Sequence, residues 1–166
     1  MSIAPSTLLS SGNMLQTLGL ALMAGGMLAI GAFCAPAIFK AFPRHEAGAA
    51  LTVVFTRYDL VLLISLGLVL LGEALRYFSH AFSLTHPLAY VRYALLLALT
   101  VCLIATTQFV NPKIERMQAV GIYPGATAEG LAFIKTHKLS ENLYKLQLLL
   151  VVGLIFLTPW LPTKEY

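Results

Sequence analysis

Charge is scarce in this sequence. Asp, Glu, Lys and Arg make up 11% of its 166 residues, against roughly 25% in an ordinary soluble domain. The first charged residue is Lys40, and Met14 to Phe39 is a nearly unbroken apolar run. That run is longer than the roughly 20 residues a bilayer core requires. Cysteine is also rare: Cys34 and Cys102 both lie inside apolar runs, with no Cys-x-x-Cys and no Cys/His zinc spacing. A disulfide framework is therefore not expected, and both thiols read as buried packing residues. No Gly-x-Ser-x-Gly elbow and no phosphate-cradling glycine loop occurs, so nucleophilic catalysis has no support and an enzyme is not expected. No Lys or Arg precedes the first apolar run, so it is expected to be retained as a span, not cleaved as a signal peptide.

What is present is hydrophobic: 58% of the residues, in four long runs. The expected fold is all-α, an integral membrane four-helix bundle forming one transmembrane domain over 1–166. Its spans are expected at about 14–39, 57–78, 88–110 and 140–161. A short interfacial helix is expected after span one, because Ala47, Ala50, Leu51, Val54 and Phe55 recur at helical spacing. Span two has an uncharged core of only Leu60 to Gly72, which puts Arg57, Asp59, Glu73 and Arg76 near its ends, with the arginines placed to snorkel. Asn111-Pro112 is expected to end span three, because the residue before a proline is disfavoured in helical geometry. Gly121, Pro124 and Gly125 punctuate the loop that follows, with a short helix expected on each side. Trp160 is expected at the headgroup level at the end of span four.

The net charge of +4 comes from basic residues in short loops. It reads as membrane orientation, and no nucleic-acid partner is expected. Loops one and three carry eight Lys and Arg: Lys40, Arg44, Arg57, Lys113, Arg116, Lys135, Lys138 and Lys145. The opposite side carries Arg76, Arg92 and Lys164. The expected location is the bacterial plasma membrane, with both termini outside and loops one and three cytoplasmic. Small residues recur every fourth position in span one (Ala21, Gly25, Ala29) and span three (Ala94, Ala98, Cys102, Thr106). These stripes predict a close contact between spans one and three.

Candidate site residues follow from polar groups that interrupt apolar helices. Glu73, Arg76 and Arg92 are expected to meet as ion pairs at the outer end. Asp59 is expected to clip spans two and four through Arg57 or Lys145, and Glu141 with Lys145 form an i,i+4 pair. Asn142 and Gln147 are placed for interhelical hydrogen bonds. A polar cluster of Arg44, His45, His137, Ser140 and Asn142 is expected at the cytoplasmic edge. His80 and His86 flank the outer turn, and no histidine falls mid-span, so a bis-histidine haem is the most distant reading. Met23 and Met27 lie four apart in span one, where packing outweighs a soft copper(I) site. No cofactor is expected; haem and copper stay open.

Phe33-Cys34-Ala35-Pro36-Ala37-Ile38-Phe39-Lys40, followed by Phe42-Pro43-Arg44-His45-Glu46-Ala47-Gly48, resembles the end of span one in the transmembrane-protein-205-like family. That is a group of small membrane proteins carrying a domain of unknown function in bacteria. Phe55 and Tyr58, Asn111-Pro112-Lys113, and Phe133, His137, Ser140 and Asn142 extend the resemblance over most of the chain. It implies a four-helix membrane protein with no settled biochemical role. The family's human member is associated with platinum-drug resistance, and distant likenesses to copper-resistance membrane proteins and a haem-linked oxidase are sometimes drawn. The matched positions gather on the cytoplasmic side. The expected function is a small structural or accessory subunit of a larger membrane complex, its partners the bilayer and other membrane subunits. The alternative is a small-solute or metal-handling, resistance-type membrane protein.

Overall fold

In the computed structural model, residues 4–79 and 87–158 are described, apart from the side chains of Arg44 and His45. Every regular element among them is helical. In chain order these are α1 (Pro5–Leu28), a π-helical stretch (Ala29–Cys34), α2 (Ala35–Ala41), α3 (Arg44–Phe78), α4 (Pro87–Ala105), a second π-helical stretch (Thr106–Val110), α5 (Asn111–Ala119) and α6 (Ala128–Leu157). They make four helical rods, Pro5–Ala41, Glu46–Phe78, Pro87–Ala119 and Ala128–Leu157, each long and apolar enough to cross a membrane. At 30 to 37 residues the rods are about 45–55 Å long, well over the roughly 30 Å hydrocarbon core. The chain is a multi-pass membrane protein.

The interfacial segment expected after span one is the beginning of α3 itself, continuous with span two. Phe42 is extended ahead of Pro43 and breaks the chain between α2 and α3, as the pre-proline clash demands. The same rule fails at Asn111-Pro112. Asn111 keeps helical angles, and its N–H reaches back five residues to the Thr106 carbonyl. Ala35, ahead of Pro36, does the same to Ile30. Proline has no N–H to give and clashes with the carbonyl four residues back. A π turn just upstream widens the helix and lets it run through. Span three therefore continues to Ala119 instead of ending at Val110.

The helix then ends at Gly121, whose φ of +80° is left-handed. Ile122 N–H bonds to Met117 O and Gly121 N–H to Gln118 O, both at 2.9 Å, the double bond of a Schellman stop. Thr127 caps α6 by accepting from Gly130 N–H at 3.1 Å. In place of a separate short helix on each side of these turns, the end of span three and the start of span four flank them.

Spans one and two pack antiparallel through a glycine seam that four-residue counting missed. Gly12, Gly19 and Gly26 are seven apart, and so are Tyr58, Ser65 and Gly72 facing them. A Cβ on Gly12 would lie 2.7 Å from the Gly72 carbonyl oxygen, and one on Gly19 would lie 2.7 Å from that of Ser65. At Gly26 the space is filled by the Tyr58 ring, whose hydroxyl donates to Met23 O at 2.7 Å. A seven-residue repeat keeps one face on the partner through a shallow left-handed crossing. The expected stripe of Ala21, Gly25 and Ala29 is exposed instead, with open space beside Gly25. Span one's intimate neighbour is span two. Span three's is span four, where Gln147 Nε2 donates to Thr106 Oγ1 at 2.8 Å and to Cys102 O at 3.2 Å. The two hairpins share an apolar core of Met23, Leu62, Val69, Leu99, Leu103, Val151 and Leu154.

Candidate functional site

Two polar layers bracket that core. On α3 they are marked by Asp59 and Glu73, fourteen residues apart, or about 21 Å along the axis. Both layers therefore fit within the thickness of a hydrocarbon core, and their polar groups face the bundle interior.

The layer nearer Pro5 draws on all four spans. Arg92 Nη2 meets Glu73 Oε2 at 3.0 Å and Gln16 Oε1 at 2.7 Å, while its Nη1 reaches Thr158 Oγ1 at 3.2 Å. Arg76 Nη1 donates to Gln16 Oε1 at 2.8 Å, and the Gln16 amide donates to Glu73. Arg92 is 1% and Arg76 4% exposed, so neither snorkels outward as expected of Arg76. Arg92 finds its counter-ion inside the bundle and Arg76 a hydrogen-bond acceptor there. Gln16, at the hub, is the residue sequence reasoning missed. Its signal was available: a lone amide in an apolar run, too costly to leave facing lipid.

The opposite layer joins spans two, three and four. Asp59 takes two donors: Asn111 Nδ2 at 2.6 Å on one oxygen and the Tyr144 hydroxyl at 2.6 Å on the other. Asn111 Nδ2 also reaches the Tyr144 oxygen at 2.9 Å, and Asn111 Oδ1 accepts from Ser140 Oγ at 2.9 Å. Arg57 is exposed, and Lys145 pairs with Glu141 at 2.6 Å on the exposed side of α6. Asp59 is thus held by neutral donors, not by Arg57 or Lys145. One turn and two turns further toward the loops, Thr56 bonds to Glu115, and Thr52 to Gln118 at 2.8 Å.

Between spans two and three, whose backbones scarcely approach each other, lies a cleft of about 260 Å³. It is lined by Thr56, Asp59, Leu60 and Leu63 on one side and by Thr107, Gln108, Asn111, Pro112 and Glu115 on the other.

Of the expected cytoplasmic cluster, Ser140 is buried against Asn111, while Asn142 is exposed. His137 is exposed and stacks on Phe133 with ring centroids 6.2 Å apart. The side chains of Arg44 and His45 lie outside the described residues, as do His80, His86, Trp160 and Lys164. Met23 and Met27 are buried in the apolar core and Cys34 is exposed. Among the described residues no three His, Cys, Asp or Glu come together as a metal site.

Residues 18–122 match the model of a family described as a domain of unknown function, DUF4149. The match carries no link to transmembrane-protein-205-like proteins, so that part of the sequence reading stays a resemblance. It takes in Asp59, Glu73, Arg92, Asn111 and Glu115, and stops short of Ser140 and Tyr144. No curated protein and no solved structure matches the chain. A match over well more than half its length shows that this four-span chain belongs to the DUF4149 family.

Proposed function

We propose that the protein binds a small solute in the cleft between spans two and three, at the end where loops one and three emerge. The observation that carries this reading is Asp59. The residue is 9% exposed, lines a cleft of about 260 Å³, and has no Lys or Arg partner among the described residues. A structural clamp needs no cleft, and the layer of Gln16, Glu73 and Arg92 shows what a closed clamp looks like in the same chain. Lysine and arginine asymmetry supports an orientation in the bacterial plasma membrane with the cleft toward the cytoplasm and both termini outside.

An accessory subunit is the competing function, and it differs in what the cleft does. Replacing both native cysteines (Cys34→Ser, Cys102→Ser) and introducing Thr107→Cys places a thiol in the cleft wall. Under the solute reading the chain purifies alone in mild detergent, and a small neutral thiosulfonate modifies this thiol. A fixed stoichiometric partner together with an unreactive thiol would instead establish the accessory role.

A further inference from the structure

We infer that the solute is a small primary ammonium ion, an inference that rests on the solute-binding reading above. The lining decides the class. Asp59 and Glu115 both face the cleft, and neither is paired with a Lys or Arg among the described residues. The nearby Arg57, Lys113 and Arg116 are exposed. An occupant that neutralises this wall is therefore a cation, because a buried uncompensated charge is costly.

The acceptors select the kind of cation. A carboxylate offers about four acceptor sites, and Asp59 uses two of them, for Asn111 and Tyr144. The remaining lone pairs, the Thr56 and Thr107 hydroxyl oxygens, the Gln108 side-chain carbonyl and the Glu115 carboxylate suit the three donors of an R–NH₃⁺ group. Among the described residues no aromatic ring lines the cleft, and quaternary ammonium groups are usually held in aromatic cages. Size and polarity argue against a bare metal ion. The cleft holds about 260 Å³, several times the roughly 30 Å³ share of a water. Leu60, Leu63 and the Pro112 ring give it an apolar wall that a hydrated ion cannot use and a short alkyl chain can. The ammonium seats against Asp59 and the chain lies along the leucines. Glu115 stands nearer the loops, held by Thr56, where an entering cation meets it first.

The test measures protection of the Thr107→Cys thiol, in the background lacking Cys34 and Cys102, from a neutral thiosulfonate. Probes are n-butylammonium, n-butanol, tetramethylammonium, sodium and magnesium, all as chloride salts where ionic. Expected is saturable protection by n-butylammonium alone. The half-protecting concentration should rise at least tenfold in Asp59→Asn and several-fold in Glu115→Gln. Should Asp59→Asn fail to fold, Glu115→Gln, on a half-buried side chain, carries the test. Equal protection by butanol would overturn recognition of charge. Equal protection by sodium or magnesium would overturn the organic class, and protection by tetramethylammonium the primary amine. A thiol that reacts freely with every probe present would overturn the ammonium inference while leaving a water-accessible cleft. A thiol that never reacts would overturn the solute reading itself.

Discussion

Arg92 is the residue on which the layer nearer Pro5 converges. It touches Glu73, Gln16 and Thr158 from three other parts of the chain. Its truncation leaves a carboxylate in the bundle with one cation fewer. Arg92→Ala is therefore expected to cost about 3–5 kcal/mol of stability in detergent, the penalty for breaking a buried ion pair from one side. Replacing the charged members together by apolar residues, as in Glu73→Leu with Arg76→Met and Arg92→Met, is expected to recover much of that loss. Thermal unfolding of the two variants measures the difference; equal melting of Arg92→Ala and the parent would show the pair to be idle. At the other layer, Tyr144→Phe removes one donor from Asp59 and is expected to cost about 1–3 kcal/mol in the same assay. The charged members of these layers were legible in the sequence, since an ionisable group in a span stands out. Their partners were less so. Asp59 pairs with Asn111 and Tyr144 across three helices, and sequence spacing reports neighbours on one helix only.

At the scale of elements, the seam between spans one and two shows why a correct rule picked the wrong stripe. Small residues do mark close contacts in lipid, but span one carries two such sets. Those four apart face outward; those seven apart meet the partner backbone. The choice depends on crossing angle, which no single helix reveals. Gly19→Ala is expected to push the helices apart, since the new Cβ would meet a carbonyl oxygen at 2.7 Å, at a cost of roughly 1–3 kcal/mol for overpacking. Gly25→Ala, beside open space, is expected to melt like the parent. Equal melting of the two variants would disprove the seam. The π turns were likewise hidden. Pro112 reads as a stop, and only the surrounding packing makes a widened turn cheaper than a break. With the helix unbroken there, Asn111 meets Asp59, so the irregular backbone and the candidate site share one cause.

For the whole molecule, the four spans and their alternation were legible because hydrocarbon leaves a chain few other solutions. Helix bounds were less so: the rods outrun their apolar cores at the loop end, where α5 and the first turns of α6 are polar and amphipathic. What is exposed there bears on the expected orientation. Lys40, Arg57, Lys113, Arg116, Lys135, Lys138 and Lys145 are all exposed toward the loop end. At the opposite end Arg76 and Arg92 are withdrawn into the bundle, where they cannot act as loop charges. Burial thus sharpens the asymmetry already present in the sequence, and the loop end is expected to stay in the cytoplasm. A cysteine placed at Ser6, exposed near the start of α1, is expected to react with an impermeant maleimide on intact cells. One placed at Ala126, exposed between α5 and α6, is expected to react only after permeabilisation. Both measurements use the chain lacking Cys34, which is itself exposed. The reverse pattern would turn the molecule over and with it the cleft. A site that opens toward the loops would then sample the external medium, and its ammonium ligand would have to be sought there.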